Sequence, residues 1–133
     1  MDDCIFCRIV EGKVRSWKVF ENNRVLAFFD INPVNEYHTL VIPKNHYVNI
    51  FEIPENELLE VMKVVKRLAI IFNNKLGINN VQIINCSGVD AQQDVFHAHF
   101  HIVPRKKGDQ NDVKWKTHPE WVGKFDRLLE KVK

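Results

Sequence analysis

The sequence predicts an α+β domain with one open sheet, built from three or four antiparallel strands and further strands after one long helix, and with a C-terminal helix. Three features indicate this fold class. Short apolar segments end at turn-forming residues, one long segment has helical periodicity, and apolar residues near the C-terminus recur at helical spacing. The 133 residues can bury one core but not two, so we expect a single domain over residues 1–133.

The first half of the chain predicts a short helical turn and three strands. Asn22-Asn23 is expected to form a two-residue hairpin turn between the first two strands, because Asn tolerates positive φ. The third strand is β-branched and apolar, and Pro43 ends it. The predicted elements are residues 4–10 for the turn and residues 17–21, 25–29 and 39–42 for the strands.

The second half predicts the long helix, two further strands and the C-terminal helix. Pro54 suits the start of the long helix and Gly77 suits the position after its end. Residues 105–118 are polar and mixed, and they predict no regular element. The predicted helices cover residues 54–76 and 119–132 and the strands residues 81–86 and 95–103, with Leu58, Met62, Val65, Ala69 and Phe72 as the buried stripe of the long helix.

Three histidines alternate along the last predicted strand. Since successive side chains of a strand point to opposite faces, His97, His99 and His101 share one face. The other face is apolar and is expected to pack on the core; it carries Phe96, Ala98, Phe100 and Ile102. Three imidazoles are poor core material, because each brings two nitrogens that need partners.

The residues alone leave three interpretations of this histidine row. It could be an exposed sheet face that happens to carry histidine, or a metal centre, because histidines two apart on a strand can bind one ion. It could also be an array that handles phosphate. A neutral imidazole attacks phosphorus, and its neighbours donate hydrogen bonds or protons.

Composition excludes several classes of protein. The net charge of +2 is too small to predict a nucleic-acid groove or binding to an anionic membrane. No apolar stretch approaches the roughly 20 residues of a membrane helix, and the acidic Met1-Asp2-Asp3 start does not resemble a signal peptide. We therefore expect a cytoplasmic protein without a membrane or nucleic-acid partner.

The cysteines point to a metal site or a redox pair. Three cysteines argue against a disulfide framework. Cys4 and Cys7 form a C-x-x-C pair, whereas Cys86 stands alone in an apolar stretch and is expected to be a small buried side chain.

With its neighbouring segments, the histidine row resembles the histidine triad (HIT) family. The resemblance spans about residues 4–105, and its combination of motifs is specific. The matching segments are Cys4-Ile5-Phe6-Cys7, Phe28-Phe29-Asp30-Ile31-Asn32-Pro33, His38-Thr39-Leu40-Val41-Ile42-Pro43-Lys44-Asn45-His46 and Ala91-Gln92-Gln93-Asp94-Val95 before Phe96-His97-Ala98-His99-Phe100-His101.

This resemblance implies a sheet of about five antiparallel strands and a homodimer that binds purine nucleotides or their conjugates. It implies that His99 attacks the α-phosphate and forms a covalent nucleotidyl-histidine, which water then hydrolyses. His101 would contact phosphate oxygens and assist proton transfer. His38 would lie beside the leaving group or orient the ring of the nucleophile, unless it is only a satisfied histidine at a strand end.

The same resemblance assigns a nucleotide pocket. Asp30 would accept hydrogen bonds from the ribose, although it could instead cap a turn. Since strand neighbours face opposite ways, one of Phe28 and Phe29 is expected to belong to the core. The nucleotide-binding candidates are Asp30, Phe28, Phe29 and Ile31 for the nucleoside, and Asn85, Gln93 and Asp94 for ribose or phosphate.

The loop before the triad departs from the family pattern. Gln92 replaces a frequent glycine, which restricts close backbone approach to a phosphate. Asp94 replaces a frequent hydroxyl residue, and a carboxylate repels phosphate unless it is protonated or turned away. These two positions put the leaving-group preference in question.

The resemblance also implies a structural zinc site, as in a mostly bacterial branch of the family. Its ligands would be Cys4, Cys7, His46 and His97, a closed set of two thiolates and two imidazoles. Three functional hypotheses follow. The chain is a nucleotide hydrolase, a nucleotide-sensing or partner-binding module with little activity, or a metal-dependent hydrolase that uses all three triad histidines as ligands.

Overall fold

The computed structural model describes residues 3–133. Met1 and Asp2, which belong to the acidic start that differs from a signal peptide, lie outside the described residues. The helices are α1 (Ile5–Val10), α2 (Glu55–Leu76) and α3 (Phe125–Val132), with short 3₁₀ helices at Val89–Ala91 and Pro119–Lys124; the strands are β1 (Lys18–Glu21), β2 (Val25–Phe29), β3 (Thr39–Pro43), β4 (Val81–Ile84) and β5 (Phe100–Pro104).

The five strands form one antiparallel sheet in the order β1-β2-β3-β5-β4. The predicted α+β class and strand number are therefore confirmed. β5 lies between β3 and β4, and His101 pairs with Leu40 of β3. The histidine strand is thus an inner strand of the sheet, where its position is fixed from both sides.

Helix α2 covers one face of the sheet. Its side chains pack on alternate strand residues such as Val41 and Ile102. Pro54 is the N-cap and Gly77 is a left-handed C-cap with φ 67°, as the sequence predicts. Of the predicted stripe, Val65 and Phe72 are buried and Leu58 and Met62 are partly buried against the core, while Ala69 is intermediate; Val61, Val64 and Leu68 complete the buried stripe.

The other face of the sheet is covered at one end by α1. Phe6, Cys7 and Ile9 are buried there against Leu26, Phe28, Leu40 and Ile42. The side chain of Cys4 caps this short helix by accepting from the backbone N–H of Cys7. The predicted helical turn at residues 4–10 is therefore confirmed. It packs on the face of the sheet that carries the histidines.

The predicted two-residue hairpin turn is wrong. β1 and β2 are joined by three residues, 22–24, and the side-chain oxygen of Asn22 accepts from the backbone N–H groups of Arg24 and Val25, both at 2.8 Å. Asn22 and Asn23 both keep negative φ. The Asx side chain, rather than a left-handed backbone, closes the turn.

The strand predicted over residues 95–103 begins only at Phe100. The preceding segment bonds to groups outside the ladder: Ala98 N–H donates to the Tyr47 carbonyl, and the His99 carbonyl accepts from Asn85. Ala98, Phe100 and Ile102 are buried as predicted, and His97 and His99 are buried as well. Phe96 is 47% exposed, so its predicted place in the core is wrong.

The C-terminal helix is split into a 3₁₀ turn and α3. Its predicted apolar face exists, but Trp121, Phe125, Leu128 and Val132 are all exposed. Between β5 and this helix, Arg105 bonds to Asp109 and Asp112. None of the helices within residues 3–133 combines the length and apolarity needed to cross a membrane.

Candidate active site

A pocket of about 210 Å³ opens between α1 and the sheet. One end of the pocket is apolar and is lined by Phe6, Ile9, Phe28 and Leu40. The other end carries His99 and His101. The shape and lining suit a flat heterocycle joined to a polar group. Its full lining is Ile5, Phe6, Ile9, Val14, Arg15, Ser16, Phe28, Phe29, Asp30, Ile31, Asn32, Leu40, Asp94, Val95, His99 and His101.

The imidazole of His99 is held in one orientation. Its Nδ1 lies 2.7 Å from the carbonyl oxygen of His97. A carbonyl only accepts, so Nδ1 carries the proton and Nε2 of the neutral ring keeps its lone pair. The ring packs edge-on to Phe6 with the centroids 5.2 Å apart, and the residue is 3% exposed.

His101 and His38 form a directed pair. The backbone N–H of Val34 donates to His38 Nδ1 at 3.0 Å, so the neutral His38 carries its proton on Nε2. That proton is donated to His101 Nδ1 at 2.9 Å, which leaves His101 with a proton on Nε2. His38 thus orients His101, whereas the ring of His99 is oriented by a backbone carbonyl.

Burial keeps this pair neutral. It lowers the pKa of His101 to about 4, with further lowering by His99 and His38. It also lowers the pKa of His38, and the nearby carboxylate of Asp30 opposes this only in part. Neutral rings are the forms required by the chain of donors and acceptors from Val34 to His101.

Asp30 has one oxygen for the turn and another near the histidines. Its Oδ1 accepts from the backbone N–H of Asn32 at 2.8 Å, while Oδ2 lies 3.6 Å from His38 Nε2. The turn cap and the pocket position therefore coexist. Phe28 is buried in the α1 layer and Phe29 is partly buried, yet both reach the pocket, and Ile31 lies at its rim with 75% exposure.

The remaining nucleotide-binding candidates differ in where they lie relative to the pocket. Asp94 lines the pocket with an 83% exposed side chain, and its Oδ1 lies 3.9 Å from His99 Nε2. Asn85 lies outside the pocket lining, where it donates to the His99 carbonyl at 2.9 Å. Gln93 is buried and bonds to Gly88, Val48 and Val95. Ligand contacts of Asn85 and Gln93 stay predictions that would need these bonds to rearrange.

A second cluster brings the predicted metal ligands together. One ligand atom from each of Cys4, Cys7, His46 and His97 lies within 4.8 Å of the others. His97 Nε2 lies 2.8 Å from the carbonyl oxygen of Pro43, so the proton is on Nε2 and the Nδ1 lone pair faces the thiols. Burial lowers the pKa of His97 to about 4 and so keeps this ring neutral.

The spacing of these atoms fits tetrahedral zinc. Bond lengths of 2.0–2.1 Å to nitrogen and about 2.3 Å to sulfur place two nitrogens roughly 3.3 Å apart and nitrogen and sulfur roughly 3.5 Å apart. Here the Nδ1 atoms of His46 and His97 are 3.2 Å apart. The His97 nitrogen lies 3.4 Å from the Cys4 sulfur and 3.5 Å from the Cys7 sulfur, and the His46 nitrogen lies 3.4 Å from the Cys7 sulfur. The four donors therefore match the ion in both type and geometry.

Several groups of the site have no signature in the sequence. The carbonyls of His97 and Pro43 and the N–H of Val34 fix three imidazole tautomers, yet backbone groups are common to all residues. Phe6 and Ile9 form part of the apolar end of the pocket. Their spacing of three residues on the predicted helical turn was the available signal, because it places them on one face.

Comparison with known proteins identifies the family of this chain. The family model described as HIT domain matches residues 11–108. An uncharacterized HIT-like protein of Methanocaldococcus jannaschii is 46% identical over 112 residues, covering 84% of this chain and 86% of the relative. The chain belongs to the HIT family.

Relatives from two yeasts have a named activity. The adenosine 5'-monophosphoramidase HNT1 of Candida albicans is 35% identical over 137 residues, covering 98% of this chain and 89% of the relative. Solved structures of other proteins have the same fold. SMU.412c from Streptococcus mutans has a TM-score of 0.92 at 36% identity, covering 99% of this chain and 84% of that one. A Zn-bound HIT protein from Mycobacterium smegmatis has a TM-score of 0.79 at 31% identity, covering 99% of both chains.

The buried neutral histidines predict acid sensitivity. In the unfolded chain imidazoles take up protons below about pH 6.5, whereas His101 and His38 resist protonation in the folded chain. The free energy of unfolding should therefore fall as the pH is lowered from about 6.5 toward 4. Urea unfolding at a series of pH values measures this fall, and the variant His101→Asn should show a shallower one. An equal slope in the variant would contradict a neutral, buried His101.

Proposed function

We propose that this chain hydrolyses nucleotide conjugates at the α-phosphorus, with phosphoramidates as the primary class, and that His99 Nε2 is the nucleophile. The orientation of the His99 ring carries this proposal. Because Nδ1 is committed to the His97 carbonyl, the lone pair of the neutral ring is on Nε2, the nitrogen nearer Asp94 of the pocket lining. An oriented neutral imidazole is a competent nucleophile.

The pocket supports a nucleoside at its apolar end. Phe6, Phe28 and Leu40 offer flat and aliphatic surfaces to a base. Asp30 Oδ2 accepts no backbone hydrogen bond in the turn that Oδ1 closes, so it can accept from ribose hydroxyls. With the base and ribose held there, the α-phosphate would lie near His99 and His101.

The proposed reaction has two displacements. In the first, the Nε2 lone pair of His99 forms a bond to phosphorus as the bond from phosphorus to the leaving amine breaks. The nitrogen of the leaving amine keeps the electron pair of that bond, takes a proton from solvent at the open side of the pocket and departs. In the second, a water oxygen attacks the same phosphorus, the bond to Nε2 breaks, and nucleoside monophosphate is released with the water proton passing to the solvent. His99 returns to its starting form.

His101 is proposed to stabilise the charge that develops on phosphate. Its Nε2–H is the free end of the chain that runs from Val34 through His38. A donor fixed in advance loses little orientation freedom when the phosphate oxygens become more negative. His38 is then a positioning residue, because it acts on the substrate only through His101.

The comparisons support this proposal through the named activity of the Candida relative, which shares the matched family domain. The alternative hypothesis, a metal-dependent hydrolase in which all three triad histidines bind the ion, has no such support. Within residues 3–133, the metal-ligand cluster that contains His97 joins it to His46 and two cysteines rather than to His99 and His101.

Replacing the nucleophile tests the reaction directly. We expect His99→Ala to lower turnover of adenosine 5'-phosphoramidate by at least about a thousandfold, because the covalent route is lost. Binding of adenosine monophosphate, measured by calorimetry, should persist. Rapid acid quenching followed by mass spectrometry should find an adenylyl group on the wild-type peptide that contains His99.

The control is His118→Ala, since His118 bonds to Glu120 on the C-terminal segment outside the pocket lining. It should keep wild-type turnover. Normal turnover by His99→Ala would overturn the mechanism. Nucleotide binding by the wild type with no turnover of any conjugate would favour a sensing module.

We further propose that Cys4, Cys7, His46 and His97 hold structural zinc, on the strength of their donor types and spacing. The ion would fill a closed site and tie α1 to the triad segment. The Zn-bound relative from Mycobacterium smegmatis supports this assignment. His97 would then contribute its ring to the metal and its carbonyl to His99.

Metal analysis tests the zinc site. Purified wild type should contain about one zinc ion per chain, and the double variant Cys4→Ser, Cys7→Ser should contain none and unfold at a lower temperature. Cys86→Ser, the matched control for loss of a thiol, should keep the zinc. Full retention of zinc by the double variant would place the ion elsewhere.

A homodimer and a cytoplasmic location complete the proposal. The exposed apolar residues Leu59 and Ile70 of α2 and the exposed face of α3 support self-association. Sedimentation equilibrium should give twice the chain mass, and a monomer at micromolar concentration would contradict the dimer. Fractionation of the source cells would test the location.

A further inference from the structure

Asp94 is a carboxylate at the mouth of a pocket proposed to handle phosphate. Its Oδ1 lies 3.9 Å from His99 Nε2, the proposed attacking atom, and its side chain is 83% exposed. Oδ1 also accepts from the backbone N–H of Val95 at 2.9 Å, which favours this orientation of the carboxylate. A negative charge therefore lies next to the proposed site of phosphorus chemistry, on the open side of the pocket.

The charges around the pocket leave this carboxylate uncompensated. The charged side chains among the described lining residues are Asp30, Asp94 and Arg15. The Arg15 guanidinium stacks 4.7 Å from the centre of the Trp17 ring, and burial keeps His101 neutral. With two carboxylates and one guanidinium, the lining has a formal charge of −1, an unfavourable sign for a polyphosphate chain.

We propose that Asp94 determines leaving-group specificity, favouring amines that carry a positive charge over leaving groups that carry a negative one. This inference rests on the proposed hydrolysis at the α-phosphorus. The apolar end of the pocket would hold the nucleoside, so the leaving group must extend toward the open side where Asp94 lies. There the carboxylate attracts an ammonium group and repels a carboxylate or a phosphate.

The effect of Asp94 on the leaving group can be measured separately from its effect on the rest of the substrate. The α-phosphate is common to all substrates, so its repulsion by Asp94 affects every one of them equally. Only the charge of the departing group differs between substrates. The ratio of their kcat/KM values therefore reports the interaction of Asp94 with the leaving group.

Three adenosine phosphoramidates of matched length form the test series. Their amines are 1,3-diaminopropane, n-butylamine and 4-aminobutyrate, which give tails of charge +1, 0 and −1 on the same type of bond from phosphorus to nitrogen. We expect kcat/KM of the wild type to fall in that order. In Asp94→Asn the ratio between the cationic and anionic substrates should fall about tenfold, which corresponds to about 1.4 kcal/mol.

Asp94→Asn isolates the effect of the charge, because an amide oxygen can still accept from the Val95 N–H while the negative charge is removed. Differences in intrinsic reactivity among the three substrates cancel when the ratio is compared between variants. Added salt should reduce the wild-type ratio and have less effect on that of the variant, because the interaction is exposed. A structural role for Asp94 would change all three rates together and leave the ratio unchanged.

The control Asp90→Asn removes the same charge from the same loop, at an exposed position outside the pocket lining, and should keep the wild-type ratio. Turnover of the series with equal ratios in wild type and Asp94→Asn would overturn the role of Asp94 and leave the proposed hydrolase standing. Absence of turnover of all three substrates by the wild type would overturn the hydrolase and this inference with it.

Discussion

The hydrogen bond from His99 Nδ1 to the carbonyl oxygen of His97 decides what this site can do. Rotation of the ring by half a turn about the bond from Cβ to Cγ would exchange Nδ1 with Cδ2 and Nε2 with Cε1, so a C–H group would take the place of the Nε2 lone pair. The carbonyl that opposes this rotation belongs to the segment before β5, which lies outside the sheet ladder. This irregular segment therefore supplies the group that orients the His99 ring.

The same peptide segment connects the two clusters. The His97 ring faces Cys4, Cys7 and His46, while the His97 carbonyl orients His99. Phe6 of α1 packs against both rings, with centroids 5.9 and 5.2 Å away. Anything that fixes α1 on the sheet also fixes the ring of His99, and a zinc ion bound as proposed would do so.

The sequence predicted the sheet, α2 and the layer that carries the histidines, because alternation and helical periodicity reflect burial directly. It failed where hydrogen bonds form outside regular turns and ladders. Asn22 closes its turn without positive φ, and the Asn85 side chain and the Tyr47 carbonyl bind the segment that was predicted to extend β5. Tautomers set by the carbonyls of Pro43 and His97 were also beyond prediction, since any residue at those positions supplies a carbonyl.

The loop before the triad shows how an unfavourable residue is accommodated. Gln92 adopts φ 70°, in the left-handed region that a glycine would occupy without strain. Such a conformation persists where the surroundings over-determine it. Gln93 provides this constraint, since its buried amide accepts from Gly88 N–H and donates to the carbonyls of Val48 and Val95. The loop thus keeps a shape that holds Asp94 at the pocket mouth, and its sequence can change the charge presented there without changing the fold.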